Sequence, residues 1–315
     1  MHLQWEQAIV NGVGEYSMKP EVSANAVENR GMLLGLIGVI IFATTLPVTR
    51  VAVGDVTDPQ LSPAFVTAGR AALAGLCSIV YLLAVRAPAP PRKIWGCMAA
   101  SAAATVVGFP LFLALALREV HAAHAAVVTG VLPLATAVCG SLYFRQRPSA
   151  RFWAYATAGC ALVVAFAIYK GGGTLTMGYW LLLAAMLSAA IGYIGGARAA
   201  AEIPASQVIC WILVASLIPT LAVTLMFWPD SQLSWQSWSA VAFLGIFPMW
   251  LGFFAWYRGL VIGGAVRVSQ VQLLQPFMAL LLAVPIAGER LDSITIAFSV
   301  AVIAVVYLGK KAPVN

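Results

Sequence analysis

Ten apolar runs, each about the length of a membrane-crossing helix, decide what this chain can fold into. They cover about residues 32–52, 64–85, 94–117, 121–143, 151–169, 177–197, 205–228, 236–257, 265–287 and 292–309. A helix needs roughly 20 apolar residues to cross the hydrocarbon of a bilayer. Strands of a membrane barrel would instead alternate over about ten residues, so these runs are helices. Only 9% of the residues are charged and the mean hydropathy is +0.91, whereas a soluble domain carries about 25% charged residues. The sequence therefore reads as an all-α integral membrane protein of ten transmembrane helices, with short links and no soluble domain inserted.

The charges give an orientation. Residues 1–30 hold Glu6, Glu15, Lys19, Glu21, Glu28 and Arg30, without the apolar stretch of a signal peptide. They are expected to form a cytoplasmic tail. Placing the N-terminus in the cytoplasm puts thirteen Lys and Arg in inner segments and four (Arg50, Arg118, Lys170 and Arg290) at outer ends. The excess of Lys and Arg on one side sets membrane topology, so both termini are expected in the cytoplasm, with the chain in the inner (plasma) membrane. The pI near 9.3 is then a topology signal and implies no nucleic acid.

Two stretches share a layout. HAAHAAVVTGVLPLATAVCGSLYFRQR, from His121 to Arg147, and GAVRVSQVQLLQPFMALLLAVPIAGER, from Gly264 to Arg290, place Pro133 against Pro276 and Arg147 against Arg290, both 143 residues apart. Thr129 then falls on Gln272 and Leu132 on Gln275. Helix three, GFPLFLALALR, and helix eight, IFPMWLGFFAWYR, each carry Phe-Pro near the middle and Arg at the end, with an offset that changes by two residues. Five helices per half means that the second half enters the membrane inverted. Inverted repeats are a hallmark of secondary transporters. The expected plan is a cytoplasmic tail (1–30), a first five-helix repeat (31–170), a second, inverted repeat (171–309) and a short C-terminal tail (310–315), arranged around a central cavity.

LPVTRVAV (Leu46–Val53), the following DPQLSPAFVTAGRAALAGL, the two proline spans, AGERLD (Ala287–Asp292) and its counterpart FRQRPS (Phe144–Ser149) resemble the EamA family of the drug/metabolite transporter superfamily. The resemblance covers about residues 32–309. It implies two inverted five-helix halves that export metabolites, and it is most similar to the amino-acid exporter branch, which points to neutral or aromatic amino acids.

All eleven acids lie outside the middles of the spans. An intramembrane carboxylate is the usual proton relay; the small multidrug exporters of the same superfamily rely on such a glutamate, and this chain departs from them. Facilitated diffusion by alternating access is the simpler expectation, and proton-coupled export of other metabolites or drugs is the alternative. Arg70 is the one charge inside a span, roughly 9 Å below its outer edge at 1.5 Å per residue. It either snorkels to the interface or faces the cavity and pairs with a carboxylate through its planar fork.

The candidate substrate-binding residues are Thr44, Thr45, Arg70, Phe109, Phe112, Thr129, Tyr193, Trp211, Trp250, Phe254, Gln272 and Gln275. Phe247, Trp250, Phe254 and Tyr257 follow one helical face, and an apolar cavity with a few polar groups suits a small organic substrate. Ordinary packing and interfacial belts account for the same aromatics, and interhelical hydrogen bonds for the glutamines. Pro47, Pro110, Pro133, Pro248 and Pro276 are hinge candidates, because a freed carbonyl is tolerated at depth only where protein or cavity water satisfies it. Ile191–Ala200 and the small face Ala122, Ala125, Ala126 and Thr129 read as close helix packing.

Other chemistry is thin. His121 and His124 have no third ligand nearby, the five cysteines lie in apolar spans without paired spacing, and no cofactor, metal or catalytic residue is implied. A membrane-embedded lipid-modifying enzyme would show an intramembrane acid, a Ser/His pair or an acidic metal motif. A carrier of phosphate esters would place several Lys or Arg in the core, where Arg70 stands alone. The expected partners are a small-molecule substrate and the bilayer, with the protein a monomer.

Overall fold

The computed structural model of the chain describes residues 24–143, 149–170, 172, 176–200, 202–230, 234–263, 271 and 274–310. Among these, seven helices are long and apolar enough to cross a membrane: Asn29–Val53, Pro63–Ala84, Arg92–Glu119, Trp153–Lys170, Met177–Ala200, Ala205–Met226 and Trp235–Gly259. Gln275–Ala287 and Ser293–Val305 are shorter apolar helices. Several spans are built from consecutive pieces. In chain order these are α1 (Ala24–Ala43), α2 (Thr45–Val53), α3 (Pro63–Ala84), α4 (Trp95–Ser101), α5 (Phe109–Glu119), α6 (Ala122–Thr129), α7 (Leu132–Tyr143), α8 (Ala150–Lys170), α9 (Met177–Ala200), α10 (Ala205–Met226), α11 (Trp235–Ile246), α12 (Gly252–Gly263), α13 (Gln275–Ala287) and α14 (Ser293–Lys310).

Proline chemistry explains where the pieces divide. A proline offers no N–H to the carbonyl four residues back, and its ring clashes with that turn. Pro47 follows the break between α1 and α2, where Thr44 N–H instead reaches back to Ile41 O at 3.2 Å. Pro133 stands one residue inside α7, and the fourth apolar run, expected to be continuous, ends its first helix at Thr129. Pro110 follows a π-helical stretch, Ala102–Gly108, and Pro248 lies within another, Phe247–Leu251. The wider π turn accommodates a proline that an α-turn would not. Pro276 occupies the first turn of α13, where a missing N–H goes unnoticed.

Close approach is set by small residues. A Cβ on Gly259 would lie 2.7 Å from Gly35 N, so α12 and α1 cross with their backbones in contact. On the expected small-residue stretch of α9, a Cβ at Gly192 would strike Thr105 Oγ1 at 1.9 Å and one at Gly195 would lie 2.8 Å from Cys97 O. The helix pairs with the most extensive packing are α1 with α12, α3 with α10, α5 with α9 and α8 with α14. The alanine face of α6 is fully buried and packs against α13. Two apolar clusters form the interior. One gathers α2, α5, α6, α9 and α13, and the other gathers α1, α10 and α12.

Candidate substrate site

A narrow cavity of about 40 Å³ lies on the seam between the two apolar clusters. That volume holds roughly two or three waters. Its walls are mostly apolar and include Phe42, Leu46, Met186 and Phe253. Into it projects Arg70 of α3, only 3% exposed. The guanidinium Nη2 meets Met249 Sδ at 3.6 Å. Arg70 Nε and Nη1 have no hydrogen-bond partner. Thr105 Oγ1 and Gln275 Oε1, from the same lining, are also buried without a partner. Native interiors rarely leave such groups unsatisfied, and here three residues around one cavity do so together.

Of the expected binding residues, the structure brings Thr45, Arg70, Phe109, Thr129, Tyr193 and Gln275 to this cavity. Arg70 thus lines the cavity and is buried. Thr129 spends its hydroxyl on Ala126 O at 2.8 Å. Thr44, Phe112, Trp211, Trp250 and Phe254 do not line it. The Thr44 hydroxyl donates to Ile41 O at 2.6 Å, inside its own helix. Trp250 and Phe254 pack on each other at 5.2 Å, with Tyr81 beyond at 4.7 Å. Trp211 borders a separate apolar groove of about 430 Å³ beside Trp95 and Met98. Gln272 lies outside the described residues. Sequence reasoning missed Thr105, whose signal was a lone hydroxyl in an alanine-valine run. It also missed Phe42, Met249 and Phe253, which carried no signal, since apolar residues in a span read alike whether they face lipid or cavity.

The EamA-like transporter family model matches residues 29–169 and again 176–309. The chain belongs to the EamA-like transporter family. It is also similar to the protein of Bacillus subtilis (strain 168) described as the uncharacterized transporter YdeK, with 41% identity over 289 residues, 89% of this chain and 97% of that one. A solved crystal structure, described only as that of a protein, superposes with a TM-score of 0.59 at 20% identity, covering 90% of this chain and 98% of its own. That likeness concerns the fold. The chain is a multi-pass membrane transporter, and the cavity lies between its two family-matched segments.

Polar ties join the segments of this EamA-like transporter at both ends of the bundle. At one end Glu289, just beyond α13, accepts Ala122 N–H at 2.6 Å and Ala123 N–H at 2.7 Å. It thereby supplies the cap that His121, at the N-cap of α6, does not make. Helix N-termini favour such a carboxylate through their unpaired amides and dipole. Lys170 pairs with Asp292 at 2.6 Å nearby. Within the first segment at the same end, Arg50 bonds Leu117 O and pairs with Asp55 at 3.1 Å. At the other end Lys93 pairs with Glu202 at 2.6 Å, and Tyr81 and Ser206 are 3.1 Å apart.

The carboxylates of these ties ionise readily. Burial pushes Glu289 up, but the His121 imidazole 3.7 Å away and hydrogen bonds from the Ala123 and Ala122 amides outweigh it and hold the pKa below the usual value. Burial likewise raises Asp292, and the Lys170 and Thr295 hydrogen bonds leave it well below the carboxylate range. The Thr57 hydroxyl, the Asp58 amide and Arg50 bring Asp55 down to about 2. The hydrogen bond from Lys93 lowers Glu202. Among the described residues no cluster of His, Cys, Asp and Glu is arranged to hold a metal.

Proposed function

We propose that this chain is a secondary transporter exporting small carboxylate-bearing metabolites, with neutral and aromatic amino acids the first to test. Its halves are two inverted five-helix repeats, ten helices in all, with both termini cytoplasmic and the protein a monomer in the plasma membrane. The observation that carries the reading is Arg70, buried with Nε and Nη1 unpartnered among the described residues in a cavity between the matched segments. A guanidinium fork is suited to a carboxylate. Support for the inverted repeat comes from the double family match and from the exchange of packing partners. The first span rests on the Phe-Pro span of the second half (α1 on α12), as the first span of the second half rests on the Phe-Pro span of the first (α9 on α5).

At about 40 Å³ the cavity is too small for an amino acid, so loading requires one set of end ties to release while the other holds. Pro47, Pro110, Pro133 and Pro248, at or beside helix breaks and π turns, give the helices around the cavity places to bend. No acid of the chain lies mid-span, so export proceeds down the substrate gradient without a carboxylate proton relay. Counterflow of radiolabelled amino acids into proteoliposomes, with and without a pH gradient, tests this. Uptake competed by unlabelled neutral amino acids and indifferent to the pH gradient is expected. Uptake that follows the pH gradient overturns the uncoupled mechanism, and no uptake of any carboxylate overturns the transport site.

A further inference from the structure

Among the described residues the central cavity carries one charge, Arg70, and no acid lines the cavity to offset it. Of the eleven acids, Glu6, Glu15, Glu21 and Glu28 precede the first apolar run, and the other seven lie at helix ends or in links. Five of those seven are already engaged: Asp55 by Arg50, Glu119 by Gly178 N–H, Glu202 by Lys93, Glu289 by the start of α6 and Asp292 by Lys170. Among the described residues, the unpartnered polar atoms of the cavity lining are Arg70 Nε and Nη1, which donate, Gln275 Oε1, which accepts, and the Thr105 hydroxyl, which can do either. This is a receptor for an anion plus one or two neutral hydrogen bonds.

An α-amino acid presents both a carboxylate and an ammonium. The carboxylate finds a charge-assisted partner in Arg70. The ammonium, taken out of water, has no anion to meet, and one amide oxygen and one hydroxyl, both neutral, are a poor substitute for its lost hydration. Building on the proposed transport site, we infer that the cavity selects organic monocarboxylates by their anion alone, and that the ammonium group of an amino acid is not a recognition element. Deamino acids carry no second charge to desolvate. A 2-hydroxy acid also fits, since its hydroxyl donates to Gln275 Oε1. Bound to a monoanion the cavity is neutral, whereas bound to a zwitterion it keeps a net charge in a low-dielectric interior.

The test uses matched triads on one carbon skeleton: 3-phenylpropanoate, phenylalanine and phenylalaninamide, then 4-methylpentanoate, leucine and leucinamide. Thermal unfolding of the purified full chain in detergent is followed against the concentration of each at neutral pH. The carboxylates without an amine are expected to stabilise the protein at concentrations equal to or below those of the amino acids, and the amides to give no shift. Arg70→Gln is expected to weaken carboxylate binding at least about tenfold, with Arg70→Lys, which keeps the charge but loses the fork, in between. The wild-type comparison within each triad needs no variant to fold. Binding of an amide as well as its acid, an amino acid about tenfold tighter than its deamino partner, or no shift from any member overturns the inference. Amino-acid counterflow alongside such a result would leave the transport reading standing. Carboxylate binding without any flux in liposomes would do the reverse.

Discussion

Arg70 destabilises the fold it sits in. A buried charge left unpaired costs several kcal/mol, and apolar replacements of buried ions are often stabilising by about 1–4 kcal/mol. Arg70→Met, matched in length and surrounded by Met249, Phe42 and Phe253, is therefore expected to raise the thermal midpoint while abolishing carboxylate counterflow. A scan and a flux assay on the same preparation check both halves of that prediction, and a lower midpoint with flux intact would refute it. Gln275→Leu removes an unsatisfied acceptor and is expected to leave stability unchanged or higher, while selectivity for hydroxy acids over deamino acids falls in competition assays. Arg70 was legible in the sequence because a charge inside an apolar run needs an explanation. Its surroundings were not, because Phe42, Met249 and Thr105 sit on other helices, whose rotation about their axes a membrane sequence barely specifies.

Element breaks follow from backbone chemistry, and the prolines marked them in advance. Pro248 lies in the π turn Phe247–Leu251, and restoring an N–H there removes a reason for the wider turn. Pro248→Ala is expected to stabilise the helix, by up to about 3 kcal/mol, and to slow counterflow while the apparent affinity for substrate changes little. Rate and affinity measured separately decide it. The cap on α6 had no such signature. Glu289 belonged to a family-typical AGERLD stretch, yet its contact with Ala122 and Ala123 N–H spans more than 160 residues of chain. Only the folded molecule makes it a helix cap. Because Glu289, Asp292 and Glu202 all have lowered pKa values, the ties they form are fully present above the ordinary carboxylate range and weaken as pH falls through those lowered values. Thiol labelling of a cysteine placed by Thr45→Cys, in a background free of the native cysteines and divided at each pH by the labelling of the same variant unfolded in denaturant so that the falling thiolate fraction cancels, is expected to be constant from about pH 8 to 5 and to rise only below about pH 4.

At the scale of the whole molecule the two sets of ties oppose each other. Glu289 and Asp292 fasten one end and Glu202 the other. Weakening one set favours the conformation open at that end, since a shift between two states requires only a difference in how each is stabilised. Glu289→Ala and Glu202→Ala are therefore expected to raise labelling of the Thr45→Cys cavity site from opposite faces of a sealed vesicle, each by several-fold. Equal labelling from one face in both variants would count against alternating access. The sequence by itself determined the membrane class and the isolation of Arg70 within an apolar run, because hydrophobic length and a lone charge are local properties. Tertiary structure decided which side chains share the cavity and which carboxylates close its ends. In a bilayer nearly every helix face is apolar, so periodicity does not say which face meets lipid and which meets the cavity. That choice was made by packing, where Gly35 meets Gly259 and Gly192 meets Thr105, and the packed helices leave Arg70, Gln275 and Thr105 in the lining of one cavity.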